Sequence, residues 1–227
     1  RPPRSTRKES SAASDVYKRQ LLDIKQSPFN IESFTKKKGK EFAPKLFDLT
    51  SLQVECNKKL GYSAEETLKY VQGLYEKKHV SYPRVDTTYL PNDMFPKIKS
   101  ILDSLIGYAN FTNPITAKPI KKNKRVFDDK KVTDHHAIIP TNIWPGNSNL
   151  IDAEKRVYDI ITRRFIANFM EDCDVSKTEV LGEAAKIGFK TTGRQVLELG
   201  WRTIYQKDKK SEDDDDDKKE DDQTLPD

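Results

Sequence analysis

The chain has 227 residues, with 41 Lys+Arg against 36 Asp+Glu and a formal net charge of +5. With 35% hydrophobic and 34% charged residues, it can build a core for one or two domains, but part of it must lie outside that core. No run approaches the ~18 apolar residues of a membrane span, and no apolar stretch near the start reads as a secretory signal. Two cysteines, Cys56 and Cys173, exclude a disulfide framework and a cysteine-based zinc site. The 3 histidines leave little room for a histidine-ligated metal. The chain opens Arg-Pro-Pro and closes Leu-Pro-Asp, and it reads as a piece of something longer.

The charge is unevenly spread. Residues 207–227 carry 5 Lys and 11 acids, a net of −6, which leaves +11 for residues 1–206. Residues 1–20 account for +4 of that, but the string from Ser11 to Gln20 resembles a translated adapter, so 1–20 reads as a non-native or disordered leader and its +4 is not counted as a DNA-binding arm. The remaining +7 over residues 21–206 favours a polyanionic partner. The acidic run Glu212–Asp217 has no apolar residue to bury, so 207–227 reads as a disordered acidic segment.

In chain order, residues 21–45 read as a strand or extended connector with a basic cluster at Lys36–Lys38 and Lys40. A helix is predicted from about Ser51 to Leu60, capped by Thr50 or Ser51 and stopped by Gly61. Ser63 and Glu66 form a capping box for a second helix, with Leu68, Val71, Leu74 and Tyr75 at helical spacing and an end near Lys77–Lys78. A short strand, His79–Tyr82, follows. This order reads either as a helix-turn-helix or winged-helix core or as an ordinary αα-hairpin. A third helix is predicted over about Asp93–Gly107, with Ile98, Ile101, Leu102, Leu105 and Ile106 as its stripe. Residues 110–134 read as a loop with a basic cluster from Lys118 to Arg125. A helix over about Ala153–Phe169, capped by Asp152, turns Val157, Ile160, Ile161, Phe165 and Phe169 inward. Beyond Asp172 the pattern alternates. Strands are predicted at Val175–Leu181, Lys186–Thr192, Gln195–Leu199 and Trp201–Gln206, with a turn at Gly193-Arg194.

Two segments carry chemistry. The first is Ser81-Tyr82-Pro83-Arg84-Val85-Asp86-Thr87. With a pKa of ~10, an unassisted tyrosine hydroxyl is a poor nucleophile at neutral pH. A cation beside the phenol and the group it attacks changes that. In an extended chain Tyr82, Arg84 and Asp86 share one face, and a guanidinium suits bidentate contact with phosphate. Asp86 is placed to orient Arg84. The same spacing also fits a strand end with a surface ion pair, which is usually worth little. The second segment is Asp134-His135-His136-Ala137-Ile138-Ile139-Pro140-Thr141. Adjacent histidines make a poor chelate, but one can bond a phosphate or assist proton transfer while the other packs.

Taken together, the two segments resemble the active-site tyrosine motif and the downstream histidine motif of type IA DNA topoisomerases, and the Pro after the tyrosine and the double His are similar to the bacterial topoisomerase III branch. The resemblance covers roughly residues 40–206. It implies a mainly α chain with β: a winged-helix-like (CAP-like) tyrosine domain over 46–167, and part of a β-rich arch in 21–45 and 168–206. It implies that Tyr82 attacks a phosphodiester of single-stranded DNA to leave a 5′-phosphotyrosine, without ATP. By the same resemblance Arg84 places tyrosine and phosphate, His135 contacts DNA and supports the reaction, and Gln72, Asp86 and His136 are DNA-binding. The family's Toprim domain, with its Mg²⁺-binding acidic cluster, is absent from this stretch, so the expected Mg²⁺ belongs to the whole enzyme and no metal to this chain. The further expectations are a monomer on single-stranded DNA, away from membranes, in the bacterial cytoplasm at the nucleoid, with the chain by itself inactive in relaxation. The rival class is a non-catalytic winged-helix DNA-binding module in which Tyr82 and Arg84 only touch phosphates. An HUH-type relaxase also uses Tyr and His, but needs two His flanking one apolar residue, which His135-His136 lacks.

Overall fold

A computed structural model describes residues 11–146 and 148–206. The expected acidic segment 207–227 and the first ten residues of the expected leader lie outside the described residues. The described chain is mixed α/β. Its elements are α1 (Ser11–Gln26), β1 (Asn30–Glu41), α2 (Leu49–Leu60), α3 (Ala64–Glu76), α4 (Ile98–Ser104), α5 (Ala109–Thr116), α6 (Asp152–Ala167), β2 (Cys173–Ala184) and β3 (Ile187–Glu198). It divides into a strand unit (described residues 11–39 and 175–197) and a helical unit (40–174 and 198–206).

The helical unit is built by well-capped helices. Asp48, not Thr50 or Ser51, caps α2: its Oδ1 accepts from Ser51 N at 2.7 Å, and Ser51 Oγ accepts from Asp48 N at 3.1 Å. Gly61 ends the helix at φ 71°, where a side chain is strained, and donates to Asn57 O. Ser63 and Glu66 form the predicted reciprocal box at the start of α3, at 3.1 and 2.8 Å. Val71 and Leu74 are buried as predicted and Thr67 joins them, whereas Tyr75 lies at the edge of the stripe and stays exposed. α6 buries Val157, Ile160, Ile161 and Phe165 and packs on α2 and α3. Glu154 in its first turn accepts from Ile151 N at 3.1 Å, so the chain enters the helix one residue before the expected Asp152 cap. Phe169 falls beyond the helix end and is half-buried.

The predicted third helix is three pieces: a 3-10 turn at Asn92–Lys97, α4, and a 3-10 turn at Ile106–Tyr108. Pro96 lies in the first turn and Leu105 leaves helical geometry at ψ 62°, so Ile106 ends up exposed. α5 occupies the start of the expected loop.

Trp201–Gln206 is not a strand. Gly200–Tyr205 is a 3-10 turn, whose period of three puts Trp201 and Ile204 on one buried face. Gly200 allows it, at φ 49°, because a Cβ there would run into the backbone of Glu171 and Asp172.

In the strand unit the sheet order is β1-β2-β3. β2 and β3 form one long hairpin whose two-residue turn is Ala185-Lys186, not Gly193-Arg194, and Gly193 lies inside β3. Both turn residues have positive φ, 53° and 63°, as a tight right-twisted hairpin demands. Gly182 leaves room for the Phe29 ring, which meets Phe189 edge-on at 5.8 Å. Residues 11–20, which resemble an adapter in sequence, form the first part of α1.

Candidate active site

Residues 79–90 run extended between two stretches that hold them. Val80 bridges Pro140 antiparallel, with Ser81 N on Ile139 O at 2.9 Å and Thr141 N on His79 O at 3.0 Å. The Ser81 hydroxyl bonds Ala137 O at 3.1 Å and accepts from Ile139 N at 3.0 Å. Further on, Val85 O accepts from Leu49 N, and Tyr89 O from Ala137 N, both at 3.0 Å. Between these ties the burial alternates with period two. Pro83, Val85 and Thr87 point inward, while Arg84 and Asp86 are exposed and Tyr82 half-buried. The tyrosine, the guanidinium and the carboxylate therefore share the outward face, as the spacing predicts.

The pairing of 79–81 with 139–141 brings the two motifs together. The rings of Tyr82 and His135 are 4.4 Å apart, tilted by 40°. Tyr75, at the end of α3, meets the Tyr82 ring edge-on at 5.4 Å. Tyr82 thus stands between an aromatic ring from α3 and an imidazole from the second motif. No hydrogen bond to the Tyr82 hydroxyl occurs among the described residues, so the phenol is open to a ligand.

The other predicted residues are less engaged. Arg84 and Asp86 share the face but form no ion pair with each other or with any described residue, so Asp86 does not orient Arg84 here. Both are exposed, where pairing gains little. His136 turns back on the chain, with Nδ1 2.8 Å from Ala137 O. In the neutral ring that bond puts the proton on Nδ1 and leaves Nε2 an acceptor. Gln72 lies one helical turn before Tyr75 on the same face of α3. Its amide donates to Glu76 Oε1 at 3.2 Å, while its carbonyl oxygen is buried with no partner. His79 is structural: it is buried, with Nδ1 3.0 Å from Ile143 O. Tyr75 is the residue that sequence reasoning assigned to the core instead of the site. The signal was its position at the edge of the α3 stripe, beside Leu74.

Among the described residues no group of three or more His, Cys, Asp or Glu side chains is arranged to hold a metal. The magnesium expected of the whole enzyme is assigned to its Toprim domain, so no chemical step is placed on a metal here.

The two antiparallel-paired motifs thus set the Tyr82 phenol 4.4 Å, ring to ring, from the His135 imidazole on the outward face that also bears Arg84. A family model described as DNA topoisomerase matches residues 4–226, and the chain belongs to that family, among its type IA, topoisomerase III-like members. It is 38% identical to DNA topoisomerase 3 of Bacillus subtilis over 194 residues, which is 84% of this chain and 27% of that protein. It is 39% identical to DNA topoisomerase 3 of Bacillus cereus over 174 residues, 75% of this chain and 24% of that one. The chain thus spans about a quarter of the length of the curated relatives it matches. Its fold is similar to that of full-length topoisomerase I from Thermotoga maritima, with a TM-score of 0.61 at 22% identity over 87% of this chain and 33% of that one.

Proposed function

We propose that this chain carries the strand-cleaving tyrosine of a type IA DNA topoisomerase. The Tyr82 Oη attacks a phosphodiester of single-stranded DNA. A new bond forms between that oxygen and phosphorus, and the bond from phosphorus to the 3′ oxygen breaks. The phenolic proton leaves to a nearby acceptor, and the departing 3′ oxygen takes up a proton. Resealing is the reverse: the 3′-hydroxyl attacks the phosphotyrosine and Tyr82 leaves. The ester conserves the energy of the cut bond, so no ATP is needed. Positioning and charge stabilisation then supply the acceleration.

In this reading Arg84 clamps the non-bridging phosphate oxygens, which explains why it is presented to solvent without a carboxylate partner. His135 contacts the DNA beside Tyr82 and stabilises charge on the phosphate or the leaving oxygen. Gln72 lies near the scissile phosphate, Asp86 borders the DNA path, and His136 presents Nε2 as an acceptor. Residues 46–167 act as a winged-helix-like tyrosine domain, and 21–45 with 168–206 as part of a β-rich arch. The whole enzyme acts as a monomer at the bacterial nucleoid and draws Mg²⁺ from its Toprim domain. The chain by itself binds DNA weakly and does not relax supercoils.

The observation that carries the reading is the 4.4 Å approach of Tyr82 and His135 on the outward face that also bears Arg84. The test is cleavage of an end-labelled single-stranded oligonucleotide by the chain combined with the rest of the Bacillus subtilis relative. Cleavage that disappears with Tyr82→Phe and drops by a hundredfold or more (about 3 kcal/mol of transition-state stabilisation) with Arg84→Ala is the expected outcome. DNA binding with no cleavage in any combination would instead favour the non-catalytic module. Supercoil relaxation by the chain alone would overturn the claim that it is inactive by itself.

A further inference from the structure

A cationic cluster lies on the same extended segment, seven residues past Tyr82. Tyr89 is half-exposed, and two lysines from distant parts of the chain converge on it. Lys131 Nζ donates to the Tyr89 hydroxyl at 3.1 Å and sits 4.4 Å from the ring centre. Lys45 Nζ lies 5.2 Å from the same ring centre. The Lys131 hydrogen bond, followed by that of Lys45, holds the phenol below its ordinary pKa.

The backbone holds these groups in place. The buried Thr87 hydroxyl donates to Lys131 O at 2.6 Å and accepts from Tyr89 N at 3.2 Å, tying the two residues together. On the other side, Arg164 donates to Lys45 O at 3.0 Å, and Asn168 donates to the neighbouring Pro44 O at 2.9 Å. Two exposed ammonium groups would ordinarily repel and separate. Here the backbone of Lys45 is anchored to α6 and that of Lys131 to the tyrosine segment.

We propose that Lys45, Tyr89 and Lys131 form a backbone-phosphate site for single-stranded DNA, separate from the site of strand cleavage. The inference rests on the nucleic-acid reading above. Asp128, 3.3 Å from Lys131, is the one carboxylate in ion-pair range of either lysine among the described residues. Two cations and one anion leave one net positive charge, the match for a single phosphodiester. While the phenol oxygen accepts from the Lys131 ammonium, its own proton is left to donate to a phosphate oxygen. The ammonium groups lie against the ring, so the face that would stack on a base is taken. The contact is therefore to the backbone and carries no sequence preference. Ala137 N bonds Tyr89 O two residues from His135, which places the cluster on the same strand path as the tyrosine. Seven extended residues separate it from Tyr82 by at most ~23 Å, a few nucleotides along one strand.

The test is the salt dependence of oligo-dT binding by the chain, read by fluorescence anisotropy. Variants are Lys45→Gln/Lys131→Gln, Tyr89→Phe, and the control Lys155→Gln/Lys190→Gln, whose lysines lie on α6 and β3. In single strands each neutralised phosphate contributes about 0.7 to the slope of log K against log salt. A fall of that size is expected for the Lys45/Lys131 variant, with no change for the control. Tyr89→Phe keeps both charges and is expected to weaken binding roughly 3- to 10-fold. An unchanged slope in the Lys45/Lys131 variant, or an equal fall in the control, overturns the site while leaving the function reading intact. If the unsubstituted chain binds no oligonucleotide at any salt concentration, the nucleic-acid reading itself fails, and this site with it.

Discussion

α6 and β1 show how differently the two units meet solvent. Of the 16 residues of α6, nine are buried, and its stripe closes on α2 and α3. β1, with 12 residues, exposes all but Thr35 and Glu41, which are half-buried, and leaves Ile31 and Phe34 more than 60% exposed. The helical unit therefore has its own core, and the tyrosine segment is tied to it by residues 137–141 and by Leu49. Among the described residues the strand unit is held by its three paired strands and by the Phe29–Phe189 ring contact. Stability should accordingly be concentrated around the site and sparse in the sheet.

The largest effect should come from truncating the helical core. Leu74→Ala removes a fully buried side chain beside the site-bearing end of α3, and about 2–5 kcal/mol of stability should go with it in chemical denaturation. Gly73→Ala should cost about 1–3 kcal/mol, because its Cβ would press on the Glu154 carboxylate. That carboxylate is held by Lys77 Nζ at 2.6 and 2.8 Å and by Ile151 N at 3.1 Å, bonds it would have to loosen to withdraw. In the strand unit the sign should reverse. Ala185→Asn with Lys186→Gly puts residues suited to positive φ into the hairpin turn, and slower hydrogen exchange across β2 and β3 should report a gain of about 1–2 kcal/mol. The smallest stability effect should be that of Phe34→Ala, within about 0.5 kcal/mol, since among the described residues that side chain is left exposed. A loss comparable to that of Leu74→Ala would contradict the contrast between the units.

Cys56 gives a pH test of the helical core. Burial pushes its thiol from an ordinary 9.0 up to about 11. The folded state therefore keeps the proton where the unfolded chain releases it. This contribution is complete below pH 9 and is lost as pH rises toward about 11. Alkylation of Cys56 in the native protein should be negligible at pH 8 and rapid after denaturation, as read by intact mass.

Much of this architecture is legible in the residues, where local chemistry and tertiary packing agree. Ser63 with Glu66, Gly61 and the α6 stripe each act through backbone groups or a face only a few residues long. The outward alternation of Tyr82, Arg84 and Asp86 follows from the period of an extended chain. What was not legible depends on distant partners. Ala185-Lys186 has no turn chemistry and is forced into the turn by the pairing of its strands, while Gly193-Arg194 has that chemistry and is absorbed into β3. Asn110-Phe111-Thr112-Asn113-Pro114 reads as a loop, yet it folds into α5 against α4. Tyr75 fits a core stripe by spacing, and only the placement of residues 79–82 reveals that it faces Tyr82.

The central claim is that the Tyr82 phenol is the group that becomes bonded to DNA. Its most direct test is peptide mass mapping after the chain, combined with the remainder of a Bacillus relative, is trapped on single-stranded oligonucleotide by denaturant and digested with nuclease and protease. The account predicts a nucleotide phosphate on the peptide containing Tyr82, and none on those containing Tyr75 or Tyr89. A stable adduct on any other residue, or one that survives Tyr82→Phe, would contradict it.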